Sequence, residues 1–160
     1  MRTAIVAILM TVAPAHAGLA PRVAPMTAAD DDVCELLKAE RGDSCKRLAR
    51  LGNATVYGTA KGIRRVVLAI ADGDDVLVSP PIDVAAGATT TTMRTVQLDG
   101  RPGVLVDVTT TRKRDTFETI LACRDGRCTS VELGSCRATI DPDGNVATSC
   151  GDHATLSLTR

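Results

Sequence analysis

Along the chain the apolar positions change period. Between Asp32 and Gly52, Val33, Leu36 and Leu37 fall at i, i+3 and i+4, and beyond Gly42 a second segment places Leu48 and Leu51 three apart. That repeat gathers side chains on one face of a helix. Asp30 to Asp32 stand where a first helix would be capped, and Asp43 or Ser44 where a second would begin. Such side chains accept bonds from the unpaired N–H groups of the first turn, and acids suit its positive end. Two short helices are therefore expected at the front of the domain, with Cys34 on one and Cys45 on the other.

From Ala54 onward, short runs of Val, Ile, Leu and Thr alternate with Asp-Gly, Pro-Gly or charged turns. This pattern predicts strands near 54–59, 64–71, 75–79, 93–98, 104–110, 116–123, 128–133, 136–141, 145–150 and 154–158. The connections are mostly too short for crossover helices, so neighbouring strands should pair antiparallel. The expected fold is α+β: a short N-terminal helical hairpin packed on a curved antiparallel β-meander. An all-β sandwich or barrel is the alternative.

The beginning of the chain has a different character. A basic start (Met1, Arg2), an apolar run from Ala4 to Ala13 and the small-residue ending Ala15-His16-Ala17 form the three-part layout of a secretory signal, with cleavage expected after Ala17. A membrane span needs about 20 apolar residues, roughly twice this run. Residues 18–32, with Pro21 and Pro25 among alanines, read as a flexible lead-in, and residues 33–160 as a single domain. Removal of Arg2 leaves 18 basic against 19 acidic residues, a formal charge of −1. No global field would attract nucleic acid or anionic lipid, and the mature chain carries no expected membrane span.

Export makes disulfides the natural state of the six cysteines, and the turns indicate which pair. In Cys123-Arg-Asp-Gly-Arg-Cys128, Asp125-Gly126 is a favoured two-residue hairpin turn. It makes Arg124 and Arg127 the hydrogen-bonded pair and sets Cys123 opposite Cys128, at a Cα separation of about 4.5 Å that a disulfide tolerates. A loop of Pro142, Asp143 and Gly144 pairs Asp141 with Asn145 and, in register, Cys136 with Cys150. Cys34 and Cys45 remain for each other. The competing arrangement, four thiolates on a metal, lacks the tight spacing of zinc ribbons.

Candidate chemistry is sparse. Asp141, Asp143 and Asn145 alternate as oxygen ligands, and Asp152 falls at the twelfth position of a calcium loop, but Val146 stands where that loop needs glycine. A turn is the expected role, because Asp, Asn and Gly favour turns for conformational reasons. His153 beside Asp152 is the only acid/base pair of the histidine type left after cleavage. No G-x-S-x-G elbow accompanies it. One tyrosine, one phenylalanine and no tryptophan leave little on which sugars or bases stack. Arg112, Lys113 and Arg114 form a basic hairpin tip, and Arg124 and Arg127 flank a stapled loop; these five are the candidate contacts for a partner. The sequence thus points to an exported, non-catalytic binding or structural domain without cofactor, serving a protein or envelope partner in the periplasm or outside the cell. A disulfide-stapled protease or enzyme inhibitor and a small secreted hydrolase are the alternatives.

Overall fold

The computed structural model describes residues 19, 21–29, 33–39, 45–59, 64–84 and 87–159. The expected signal segment, residues 1–17, and the expected cap and break residues Asp30–Asp32, Gly42, Asp43 and Ser44 lie outside them. The described strands are β1 (Arg22–Pro25), β2 (Thr27–Ala29), β3 (Cys45–Leu51), β4 (Ala54–Thr59), β5 (Arg64–Asp72), β6 (Asp75–Val78), β7 (Ile82–Val84), β8 (Ala88–Leu98), β9 (Arg101–Arg112), β10 (Asp115–Arg124), β11 (Arg127–Gly134), β12 (Ala138–Ile140), β13 (Asn145–Thr148) and β14 (His153–Thr155). Among the described residues one helix forms, α1 (Val33–Ala39).

The expected helical hairpin is therefore corrected: Cys45–Leu51 is a strand paired antiparallel with β4. The helical spacing of Leu48 and Leu51 has another origin. Leu48 is the extra residue of a β-bulge, between the pairs Arg47 with Tyr57 and Ala49 with Val56. A bulge shifts the strand's alternation by one residue, and so breaks its two-residue period. Leu48 packs on the neighbouring core, in space that Gly58 leaves open; a Cβ there would stand 2.7 Å from Leu48 Cδ1. An isolated seven-residue helix is marginal in water, whereas the Gly52-Asn53 turn offers this segment a ladder.

The all-β alternative is the architecture observed. Two antiparallel meanders face each other. The N-terminal sheet runs β2-β6-β5-β4-β3, with β7 also on β5, and the central sheet runs β1-β11-β10-β9-β8. Within 18–32, expected as a lead-in, β1 pairs with β11 and β2 with β6. Met26, buried between them, carries the chain from one sheet to the other. The first core lies between the sheets, where Val56, Val66, Leu68 and Ile82 meet Val106, Val108 and Leu121. Helix α1 covers the far side of the N-terminal sheet through Val33 and Leu37 on Val67, Ala69 and Val78.

A third sheet, β12-β13-β14, closes the other face of the central sheet. Val146, Leu156 and Leu158 pack there on Val96, Leu98, Leu105, Ile120 and Val131. The central sheet is thus covered on both faces, which is why Glu118 to Cys123 is buried without interruption; sheets buried on both sides lose the alternation of half-solvated strands.

All three expected cystine pairings are present: Cys34 with Cys45, Cys123 with Cys128, and Cys136 with Cys150. Cys123 faces Cys128 and Arg124 faces Arg127 in the ladder. Asp125 and Gly126 both take positive φ, as a type I′ turn requires. Downstream, Ile140 pairs with Val146 and Ala138 with Thr148, the register that brings Cys136 to Cys150. No helix among the described residues is long and apolar enough to cross a membrane.

Candidate functional site

The three-stranded sheet alternates strictly. Ala138, Ile140, Val146, Ala154 and Leu156 face the core, while Thr139, Asn145, Ala147, His153 and Thr155 face outward around a concavity of about 530 Å³. Twist across so small a sheet curves its free face. The sequence builds it through its turn: Asp141 Oδ1 accepts the N–H groups of Asp143 and Asn145, both at 2.9 Å. Gly144 follows with φ +82°, and a Cβ there would meet Gln97 O at 2.8 Å. Only glycine suits both the dihedral and this close approach. The turn in turn docks on β8, where Gln97 N–H donates to Pro142 O at 2.8 Å.

The inner edge of this sheet is capped by side chains in place of a fourth strand. Ala138 N–H donates to Glu118 Oε2 at 2.7 Å, and Arg94 Nη2 donates to Ile140 O at 2.7 Å. One carboxyl and one guanidinium thus each engage a backbone group of an edge that would otherwise hold them unpaired. Glu118 is buried, and burial raises its carboxyl above the ordinary range; the charge of Asp107 and its hydrogen bond push the same way, against the Ala138 N–H and the charge of Arg137. At the other end of the central sheet, Asp99 ties down the C-terminal segment by accepting bonds from Ser157, Leu158 N–H and Thr159. The Ser157 hydroxyl is the largest influence lowering the Asp99 carboxyl below its usual range, and burial opposes it; Leu158 N–H, Arg124 and Thr159 also lower it.

The residues singled out from sequence divide between these regions. Asp141 and Asn145 line the concavity, together with His153. Their polar atoms are engaged with one another: Asn145 Nδ2 donates to Asp141 Oδ2 at 2.8 Å, and Thr155 Oγ1 donates to Asn145 Oδ1 at 3.1 Å. The Asn145 side chain first, then the backbone N–H groups of Asn145, Asp143 and Gly144, lower the Asp141 carboxyl, against a small effect of burial. Asp141 is thus a turn clasp, and Asp143 contributes its N–H to it. Among the described residues no three His, Cys, Asp or Glu side chains come together as a metal site.

Arg112, Lys113 and Arg114 are exposed at the β9–β10 turn, at the opposite end of the central sheet from the stapled hairpin. Arg124 is drawn inward: its side chain is 9 % exposed, with Nη2 at 3.5 Å from Asp99 Oδ2 and Nε at 3.1 Å from Asp125 Oδ2. Arg127 remains exposed. The stapled loop therefore presents one of its two arginines and uses the other as a strut. Sequence reasoning missed Glu118, Asp107 and Arg94: Glu118 and Arg94 bond to β12, 20 and 46 positions further along the chain, and Asp107 acts on the buried Glu118. Nothing local marks such residues.

Comparison with protein-family models, curated proteins and solved structures returns no significant match, so no relative supplies a role for these residues.

Proposed function

We propose that the protein is exported, loses residues 1–17, and acts in the periplasm or outside the cell as a non-catalytic binding domain whose contact surface is the outer face of the C-terminal sheet. The observation that carries this reading is the construction of that face. It is a concave patch of about 530 Å³ on a sheet held by a disulfide, by a clasped turn and by two side-chain caps. Rigidity of this kind lowers the ordering cost of association. Its hydroxyl, amide and imidazole groups suit hydrogen bonding to a protein or envelope partner, with the Asp141, Asn145 and Thr155 string holding the wall in place. Three disulfides are compatible with an oxidising compartment.

The test is copurification of the chain from the native envelope or culture fluid, set beside the Ala147→Arg variant. Ala147 lines the centre of the concavity and faces His153 across the ladder. The expected result is a protein beginning at Gly18 whose partner is lost on the substitution. Retention of the same partner by Ala147→Arg would place the contact elsewhere, and an intact Met1 in the purified protein would refute export by signal cleavage.

A further inference from the structure

A second surface lies where the central and C-terminal sheets approach at their free edges. Pro21, Arg22 and Val23 form one wall of a groove of about 490 Å³, and Thr155, Ser157 and Thr159 form the other. Ladder parity shows what each wall presents. Arg22 pairs with Ser130 and Ala24 with Cys128, and Met26 N–H donates to Gly126 O at 2.7 Å. The backbone groups of the even-numbered residues therefore point to β11, and those of Pro21, Val23 and Pro25 point away, with Pro21 and Val23 at the groove. Proline has no N–H, so this edge offers three carbonyls and the single donor of Val23.

The opposite wall is built the same way. Leu156 N–H donates to Gly144 O and Thr148 N–H to Asp152 O, both at 2.9 Å. That turns the even-numbered residues toward β13, leaving the backbone groups of Thr155 and Ser157 directed outward. Among the described residues these outward groups have no backbone partner. Two unpaired edges thus face one space. Arg22, exposed on its rim, has no ion-pair partner among the described residues.

We propose that this groove is a strand-docking site, taking an extended, acidic segment of a partner polypeptide by β-augmentation. The edge from Pro21 to Pro25 is about 13 Å long, enough for four residues in extended form. Main-chain bonds to Val23 and to the Thr155–Ser157 edge supply affinity, and a carboxylate placed against Arg22 supplies selectivity. The two prolines reject most strands and so guard the edge against indiscriminate pairing. This site adjoins the concave face, sharing Thr155 with it, but its argument does not rest on the reading of that face.

The test is selection of random nonapeptides displayed on phage against the oxidised chain beginning at Gly18, with the winners re-measured on two variants. Val23→Pro removes the one donor while leaving the bonds to β11, and Arg22→Glu inverts the rim charge on an exposed side chain. Selected peptides should be enriched in Asp or Glu and should bind Val23→Pro about five- to tenfold more weakly, the size expected for one backbone hydrogen bond. They should lose most of their affinity for Arg22→Glu, and their binding should shift the Val23 and Thr155 amide resonances. Should Val23→Pro fail to fold, Arg22→Glu and the amide shifts decide alone. Failure of the selection to enrich any peptide, or winners indifferent to Arg22→Glu, would overturn the proposal. A Val23 amide already protected from exchange in the unliganded protein would overturn it too, because the groove would then be filled by the chain itself. Ala147→Arg should leave these peptides bound, which separates this site from the concave face.

Discussion

Two carboxyl groups at opposite ends of the central sheet respond to pH with opposite sign. Glu118 is raised, chiefly by burial, so the folded state holds its proton more tightly than the unfolded chain does. Its contribution is complete below the ordinary glutamate value and is lost as pH rises through the higher folded value. Glu118→Gln keeps an acceptor for Ala138 N–H and adds a permanent donor toward Asp107. The variant should exceed the parent by about 1 kcal/mol at neutral pH, with the gap closing in acid; urea melts at pH 4 and pH 7 read both ends. A variant less stable than the parent at pH 7 would mean that the charged form is the one the docked strand prefers. Asp99 runs the other way, since the bonds from Ser157, Leu158 and Thr159 lower its carboxyl. Its stabilisation is present above the ordinary aspartate value and disappears as pH falls through the lower folded value. Asp99→Asn should therefore reduce the acid sensitivity of the protein and speed amide exchange at Leu158 at neutral pH. Unchanged exchange at that amide would remove Asp99 as the anchor of the C-terminal segment.

Among the elements, the C-terminal sheet is the one most dependent on covalent support. It contains ten strand residues in three strands, too few for independent stability in water, and at its inner edge Ala138 N–H and Ile140 O are held by the side chains of Glu118 and Arg94. The Cys136–Cys150 bridge spans 14 positions, and a loop of that size contributes about 3 kcal/mol on the chain-entropy account. Replacing both cysteines by serine should lower stability by that order and admit proteolysis between Gly134 and His153 before the central sheet opens, seen as an early pair of fragments by mass spectrometry. Simultaneous loss of all regions would show that the three layers unfold as one unit. The hairpin turns are the elements most visible from sequence. Asp125-Gly126 and Pro142-Asp143-Gly144 set their own backbone geometry, and register follows by counting outward. The strands they join are legible to within a few residues for the same reason. β3 is not, because its bulge at Leu48 imitates helical spacing and the competing ladder with β4 comes from residues beyond the turn.

The described residues form a stack of a small sheet, a central sheet, a second large sheet and one short helix. The N-terminal strands knit the two large sheets: β1 completes one and β2 the other, across a single buried residue, Met26. A chain beginning at Val33 should therefore be destabilised and prone to association, since it bares the edges of β11 and β6 together. Size-exclusion chromatography and thermal melts against the chain beginning at Gly18 measure both effects. A monomer of unchanged melting temperature would return residues 18–32 to the role of a passive leader.

Local chemistry determined a good deal without help. The alternation of Val, Ile, Leu and Thr from Ala54 onward, the Gly-containing turns and the three cystine pairings all rest on interactions within about fifteen residues. So does the placement of Asp141 and Asn145 together, although their part as a clasp became plain only with the hydrogen bonds in view. Tertiary structure decided the remainder. A segment such as Cys45–Leu51 can satisfy its backbone either as helix or as strand, and the free edge of β4 settles which. Arg22–Pro25, an Arg-Val-Ala-Pro segment with no alternating apolar run, becomes a strand because β11 offers it an edge. Glu118 and Arg94 acquire their roles only when β12 docks across them. In each case the decisive free energy comes from burial and from partners distant in sequence, to which local pattern is blind.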